Sequence, residues 1–345
     1  MQIRAIGSTG DLDSNIFNID IDQLSYTYYS NASNQLKSVS DATNNPNGFK
    51  DVANVQDFTY DANGNLNTDG NKGITSITYN HLNLPTKILF SGTNRNIVYV
   101  YDAIGKKVKK TVTNKNIITT TDYLSGFQYE NTALTFFGHA EGYVNNTVVN
   151  GANNYNYVYN YTDQTGNVRL SYTKDPSTQQ LKILSENNYY AFGLKHEKYN
   201  VDAYQYTPII DKNGIEIGGY YIGSGTNETV GKYKYKYNGQ EQQDELGLNI
   251  TAMDYRHYDN ALGRFNCIDV LAEASTGINP YQFSNNNPVF FSDPSGLMVK
   301  ELNSGSAWLD AMWSNTEEGS NSHWGNIGHG GSGGGSSFGS QMETE

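Results

Sequence analysis

The chain holds a single cysteine, Cys267, among its 345 residues, so it can build neither an internal disulfide framework nor a CxxC metal site. No stretch approaches the roughly 18 apolar residues that a membrane helix needs. The first seven residues, Met1 to Gly7, lack the apolar run of a signal peptide. An exported form is therefore expected to carry its signal on a longer parent chain or to use another route. Positive charge is in deficit: 23 Lys and Arg stand against 35 Asp and Glu, for a formal net charge of −12. Phosphate backbones are bound by clustered Lys and Arg, so nucleic acid is not expected as a partner. Walker loops and HExxH motifs are absent, and no cofactor-binding residue is identified.

What is present is tyrosine, 28 of them, and glycine, 35. Tyrosine suits strands and half-buried surfaces, whereas Gly, Asn and Asp supply the turns between them. An aromatic content of 13% is too high for a disordered chain. The composition predicts an all-β fold of many short strands.

The chain repeats itself. Tyr60-Asp61-Ala62-Asn63-Gly64-Asn65-Leu66 is echoed by Tyr101-Asp102-Ala103-Ile104-Gly105-Lys106, with a degenerate copy at Tyr79-Asn80-His81-Leu82-Asn83-Leu84-Pro85. Weaker echoes follow at Tyr161-Thr162-Asp163 to Arg169 and at Tyr258-Asp259 to Phe265. A spacing of about twenty residues fits one strand-turn-strand unit per repeat. In each unit a strand ends in Tyr, Asp or Asn opens a turn, Gly takes the positive-φ position, and a new strand begins. Alternating segments such as Ile97 to Tyr101, Tyr155 to Tyr159 and Tyr233 to Tyr237 read as strands. One such unit cannot bury its apolar face alone, so neighbouring units must stack into a continuous sheet.

These Tyr-Asp…Gly units resemble the YD repeats of Rhs, teneurin and insecticidal toxin-complex proteins. The ordered series from Tyr237-Asn238-Gly239-Gln240, through Asp254-Tyr255-Arg256-His257-Tyr258-Asp259 and Leu262-Gly263-Arg264-Phe265, to Asn287-Pro288 and Asp293-Pro294-Ser295-Gly296-Leu297 resembles the Rhs repeat-associated core. The resemblance spans roughly residues 55 to 297. It implies YD strands wound into a curved sheet or partial β-cocoon shell, with an inward-curling core plug. The expected order is degenerate repeat strands over 1–54, shell strands over 55–236 with a hairpin insertion near 201–231, and the core over 237–297. Residues 298–345 then form a largely irregular tail. Composition changes abruptly after Leu297: Trp308, Trp313 and Trp324 all lie beyond it, followed by a glycine-serine run. Trp308 with Met312, and Leu309 with Trp313, have the spacing of one side of a short helix.

By itself Asp293-Pro294-Ser295-Gly296 has the residue preferences of a type I turn. The resemblance adds chemistry, because this core acts as an autoprotease in the toxin-complex and Rhs-effector branches and cuts after the Leu of the motif. Carried over, the scissile bond is Leu297–Met298, and Arg256, Asp269 and Asp293 are its catalytic residues. Two carboxylates held close cannot both ionise readily, so one keeps a proton while the other serves as base toward water. A guanidinium between them biases that choice or stabilises an oxyanion. The family often has Asp-Pro where this chain has Asp269-Val270. Each residue also has a plainer role: Arg256 pairing with Asp254 or Asp259 on a strand surface, Asp269 capping a short helix over Val270 to Ala274. Cys267 and His257 could make a nucleophilic pair, but a lone cysteine is more often a small buried hydrophobe. His323 and His329 lack a spaced third ligand, so no metal site is expected.

The expected function is therefore that of the C-terminal part of a longer, secreted or surface-bound Rhs polymorphic toxin used in bacterial competition. Its own tail would be the cargo, and an immunity protein or secretion-system adaptor its partner. No catalysis in trans is expected. The alternative of another class is a non-catalytic adhesion module whose tyrosines offer aromatic platforms to carbohydrate or protein.

Overall fold

Each repeat turn is closed by its own Asp. Asp61 Oδ1 accepts the N–H groups of Asn63 and Asn65, both at 2.9 Å. The Asp61 carbonyl accepts the N–H of Gly64 at 3.1 Å, and the Asp61 N–H donates to the Asn65 carbonyl at 2.9 Å. Gly64 completes the loop at φ +79°, and a Cβ there would collide with Ile268 and Tyr281 of the later chain. Asp102 and Asp163 close their turns with the same pair of N–H acceptances. In the degenerate copy, Asn80 Oδ1 replaces the carboxylate. This is Asx-turn chemistry, complete within six residues.

Two of the repeat tyrosines then tie their unit to the one before. Tyr79 donates its hydroxyl to the Leu66 carbonyl at 2.6 Å, and Tyr101 donates to the Pro85 carbonyl at 3.0 Å. Both acceptors stand just past the preceding turn. A buried phenol needs such a partner, so the tyrosine serves as apolar packing and as a cross-rung at once.

In the computed structural model the residues described are 2–7, 18–30, 33–53, 55–175, 179–196, 204–210, 216–223 and 233–302. Thirteen strands, from Phe58–Tyr60 to Leu181–Glu186, form one antiparallel sheet in which each strand pairs with its sequence neighbours. The sheet is open, with those two strands at its edges. A three-stranded sheet of Gln2–Gly7, Asn18–Tyr28 and Leu36–Asp41 precedes it. Tyr204–Ile210 and Glu216–Gly223 pair as a hairpin. The expected all-β class and curved-sheet architecture are what the structure has.

One face of the large sheet is covered by the chain that follows. Ile74, Ile77, Ile88, Phe90, Ile97 and Tyr99 pack with Leu248, Ile250 and Leu262. Further along, Phe136, Tyr143 and Val158 pack with Tyr233, whose ring stacks on Tyr143 at 3.9 Å. Strands alternate, so the opposite face leaves Tyr155, Tyr157 and Tyr161 exposed. The covering segment has a four-stranded sheet of its own: Glu241–Gln243, Ile250–Ala252, His257–Asp259 and Arg264–Phe265.

Tyr233 to Tyr237 does not form the expected strand. Tyr235 makes only an isolated bridge to Glu241, and Tyr237–Gly239 is a 3-10 turn. The backbone bonds of this stretch are divided between two partners: the Lys236 carbonyl accepts from Val168, and the Lys234 carbonyl accepts from Gln242. Lys236 is buried and donates to Asn187.

Two buried ionic clusters fasten the covering segment to the sheet. Glu241 accepts from Lys107, from Lys110 at 2.7 Å and from the Tyr123 hydroxyl at 2.8 Å. Burial opposes its charge, yet the two lysines hold Glu241 well below the usual carboxylate range. In the second cluster, Lys72 Nζ meets Asp259 Oδ2 at 2.5 Å.

Candidate active site

Arg256 occupies the bend between strands Ile250–Ala252 and His257–Asp259, where its carbonyl accepts the N–H of Met253 at 3.1 Å. Its side chain is 2% exposed, and the Phe265 ring lies against the guanidinium at 3.7 Å. Every arm of the fork has a partner. Nε donates to the Gly296 carbonyl at 2.5 Å, and Nη1 donates to the Pro280 carbonyl at 3.2 Å. Nη2 meets Asp269 Oδ2 at 2.9 Å and Asp293 Oδ2 at 3.3 Å. Arg256, Asp269 and Asp293, far apart in sequence, thus converge on one nitrogen. Among the described residues, the ion pairs of Arg256 are with Asp269 and Asp293, not with Asp254 or Asp259.

The loop from Asp293 to Leu297 is a turn held from both ends. The Gly296 N–H donates to the Asp293 carbonyl at 3.3 Å, and the Leu297 N–H donates to Asp293 Oδ1 at 3.0 Å. Gly296 has φ +75°, and a Cβ there would stand 3.3 Å from the Arg256 nitrogen and from the Phe265 ring. Both the left-handed backbone and the close approach require glycine. Leu297 is half-buried and Met298 exposed, so the bond between them lies at the boundary of the packed core.

The two carboxylates sit in different surroundings. Asp293 is fully buried. Burial raises it above the ordinary carboxylate range; Arg256 and the Leu297 N–H pull it down, and Asp269 adds to the rise. Asp269 keeps 23% of its side-chain surface in solvent. Its Oδ1 accepts the N–H of Leu271 at 2.8 Å, and a 3-10 turn follows at Ala272–Ser275. The local turn role and the long-range pairing are thus served by separate oxygens of one carboxylate. A buried carboxyl inclined to hold a proton beside a carboxylate open to water is an arrangement suited to acid–base hydrolysis.

Sequence reasoning singled out neither Pro280 nor Phe265 nor Gln240 as a neighbour of this site. Gln240 donates through Nε2 to the Pro294 carbonyl at 2.8 Å. The only signal for it was its place in the Tyr237 to Gln240 run. Cys267 and His257 share the lining of a small cavity with Ile77 and Tyr79. Burial pushes the Cys267 thiol up to about 12, and burial followed by Lys107 brings His257 down to about 3. Both are therefore neutral, which suits a packed hydrophobe and removes the thiolate that a nucleophile needs. Among the described residues, no group of three or more His, Cys, Asp or Glu is placed to hold a metal. Trp308, Trp313, Trp324, His323, His329 and the glycine-serine run lie outside the described residues.

The fold, an open antiparallel sheet of Asp-closed turns covered on one face by a segment built around Arg256, is shared by solved structures. The crystal structure of TcdB2-TccC3 shares it at 19% identity and a TM-score of 0.51, over 81% of this chain and 14% of that one. A Photorhabdus luminescens Tc holotoxin pore, carrying a mutation in TccC3, matches at 19% identity and a TM-score of 0.52, over 84% of this chain and 14% of that one. Among curated proteins, the tRNA nuclease WapA of Bacillus subtilis (strain 168) is 27% identical over 257 residues, which is 71% of this chain and 9% of WapA. The tRNA(Glu)-specific nuclease WapA of Bacillus subtilis subsp. natto is 28% identical over the same length and share. This chain therefore spans about a tenth of the length of the curated relatives it matches. No protein-family model matches it.

Proposed function

We propose that this chain is the shell end and core of an Rhs-type polymorphic toxin, exported to the cell surface or beyond, and that its core cuts the chain between Leu297 and Met298. The observation that carries the reading is the meeting of Asp269 and Asp293 on Arg256 Nη2, with the Leu297 N–H bonded to Asp293 itself. In this reading Asp269, the carboxylate open to solvent, takes a proton from a water that attacks the Leu297 carbonyl carbon. Asp293 supplies its proton to the departing Met298 nitrogen, and Arg256 stabilises the charge developing between them. The products are a Leu297 carboxylate and a free Met298 amine, so one water is consumed and no other reactant is needed. The freed tail is the cargo, with an immunity protein or secretion adaptor as its partner. The nuclease activity named for WapA belongs to proteins of which this chain spans 9%, and it is not carried over to the tail.

Intact-mass measurement of residues 1–345 bearing a C-terminal tag tests the cleavage. A break at Leu297–Met298 is expected, and Asp293→Asn or Asp269→Asn should each abolish it. A folded wild-type chain that stays whole refutes the proposal. The exposed row of Tyr155, Tyr157 and Tyr161 favours a second reading, adhesion to carbohydrate. That reading predicts glycan binding unaffected by both substitutions.

A further inference from the structure

Three consecutive carbonyls of the Asp293–Leu297 loop are held by donors from the covering segment. Pro294 is held by Gln240 Nε2 at 2.8 Å, Ser295 by the Tyr255 N–H at 3.0 Å, and Gly296 by Arg256 Nε at 2.5 Å. Two of these donors, Tyr255 and Arg256, belong to the bend that carries the guanidinium. The third comes from a separate part of the chain and is the one side-chain amide among them. Gln240 is itself 4% exposed. Its backbone is fixed by the tight turn before it, where its N–H donates to the Tyr237 carbonyl at 2.9 Å and its carbonyl accepts from Lys236 at 2.9 Å. The next residue is Glu241, clamped to the sheet by Lys107 and Lys110. The amide is therefore aimed from an anchored point of the segment.

From this geometry we infer that Gln240 is a positioning residue for the cleavage, holding the Pro294 carbonyl so that the loop presents Leu297 at a fixed distance from Asp269 and Asp293. The inference rests on the cleavage reading above. A donor is required at this position, because the Pro294 oxygen can only accept. Without that donor the turn can rotate about Pro294 and Ser295, the geometry of attack is lost for part of the time, and the rate falls. Gln240 touches no reacting atom, and its effect is on orientation alone.

The decisive experiment follows self-cleavage of the full chain by intact mass over time, from pH 5 to pH 9, in wild type, Gln240→Met and Gln240→Glu. Met fills similar volume and donates at no pH. Glu has the shape of Gln but donates only while protonated, and burial will lift its carboxyl above the ordinary value of about 4.3. Gln240→Met should cut about tenfold more slowly than wild type at every pH, the effect of about one lost hydrogen bond. Gln240→Glu should match wild type at low pH and fall toward the Met variant as pH rises. Arg256, Asp269, Asp293 and Glu241 are common to wild type and the neutral Gln240→Met chain, so the ratio of those two rates cancels their titration. Thermal unfolding of each chain shows that it is folded. If Gln240 merely packs, Gln240→Met cuts at the wild-type rate, and that result overturns the inference while leaving the cleavage reading intact. A folded wild-type chain that is never cut overturns both.

Discussion

Replacing Arg256 with methionine keeps a long apolar stem against Phe265 and removes every donor of the guanidinium. The loss can be read from its contacts. Asp293, with none of its surface exposed, loses its cation, and the Gly296 and Pro280 carbonyls lose their donors. Breaking one partner of a buried ion pair costs about 3–5 kcal/mol, chiefly because a charge is left unpaired. Asp293 can escape part of that cost by taking up a proton, since burial already raises it above the ordinary range. A raised carboxyl stabilises the fold most at low pH, and that contribution is lost as pH rises through its folded value. Removing Arg256 moves the folded value higher still, so the cost of Arg256→Met should grow from pH 5 to pH 8. Urea unfolding of wild type, Arg256→Met, Asp293→Asn and the double variant at pH 8 isolates the coupling. In the Asp293→Asn background only the part-exposed Asp269 loses its cation and no fully buried charge is orphaned, so the Met substitution should cost about 2 kcal/mol less than in wild type. If the two costs add within about 0.5 kcal/mol, the pair is not coupled and the electrostatic account of the site fails.

Asp69, 1% exposed, lies beside Lys72 and Asp259. Burial pushes it up to about 7, with Lys72 opposing the rise and Asp259 adding to it. The stability it contributes is full below about 3.8, the ordinary value, and is lost as pH rises through 7, a shift of about 3 units or at most about 4 kcal/mol. Asp69→Asn should abolish that portion of the pH dependence, so that its urea midpoint falls less than wild type between pH 4 and pH 8; parallel curves would refute the assignment. Cys267, buried with its thiol pushed up to about 12, should resist thiol reagents at pH 8 until the protein unfolds. Rapid labelling of the native chain would show instead an accessible thiolate.

The repeats were legible because their chemistry is local. Tyr60-Asp61 to Leu66 names its own acceptor, its own positive-φ residue and its own closing pair, and the structure closes that turn with those local bonds. Tyr233 to Tyr237 misled for the opposite reason. Its alternation is that of a strand, but the nearest free backbone partners are Val168 on one side and Gln242 on the other, and serving both breaks the ladder. The residues expected at the cleavage site could be named from the ordered core motifs. Gln240, Phe265 and Pro280 could not be read there, because nothing in their types announces a contact with a loop many residues away.

The sequence by itself determined a meander of short strands closed by Asp or Asn, since Asx-turn bonds and glycine backbone freedom act within six residues and need no fold around them. Only the tertiary structure decided which carboxylates Arg256 would meet. Asp254 and Asp259 are its sequence neighbours, yet it reaches past them to Asp269 and to Asp293, 37 residues away. Asp259 is already committed, one oxygen to the N–H groups of Ala261 and Leu262 and the other to Lys72 of the sheet. A carboxylate has few acceptor sites. Once the sheet and the following turn had filled those of Asp259, the guanidinium found its partners where the chain returned, at the loop before Leu297.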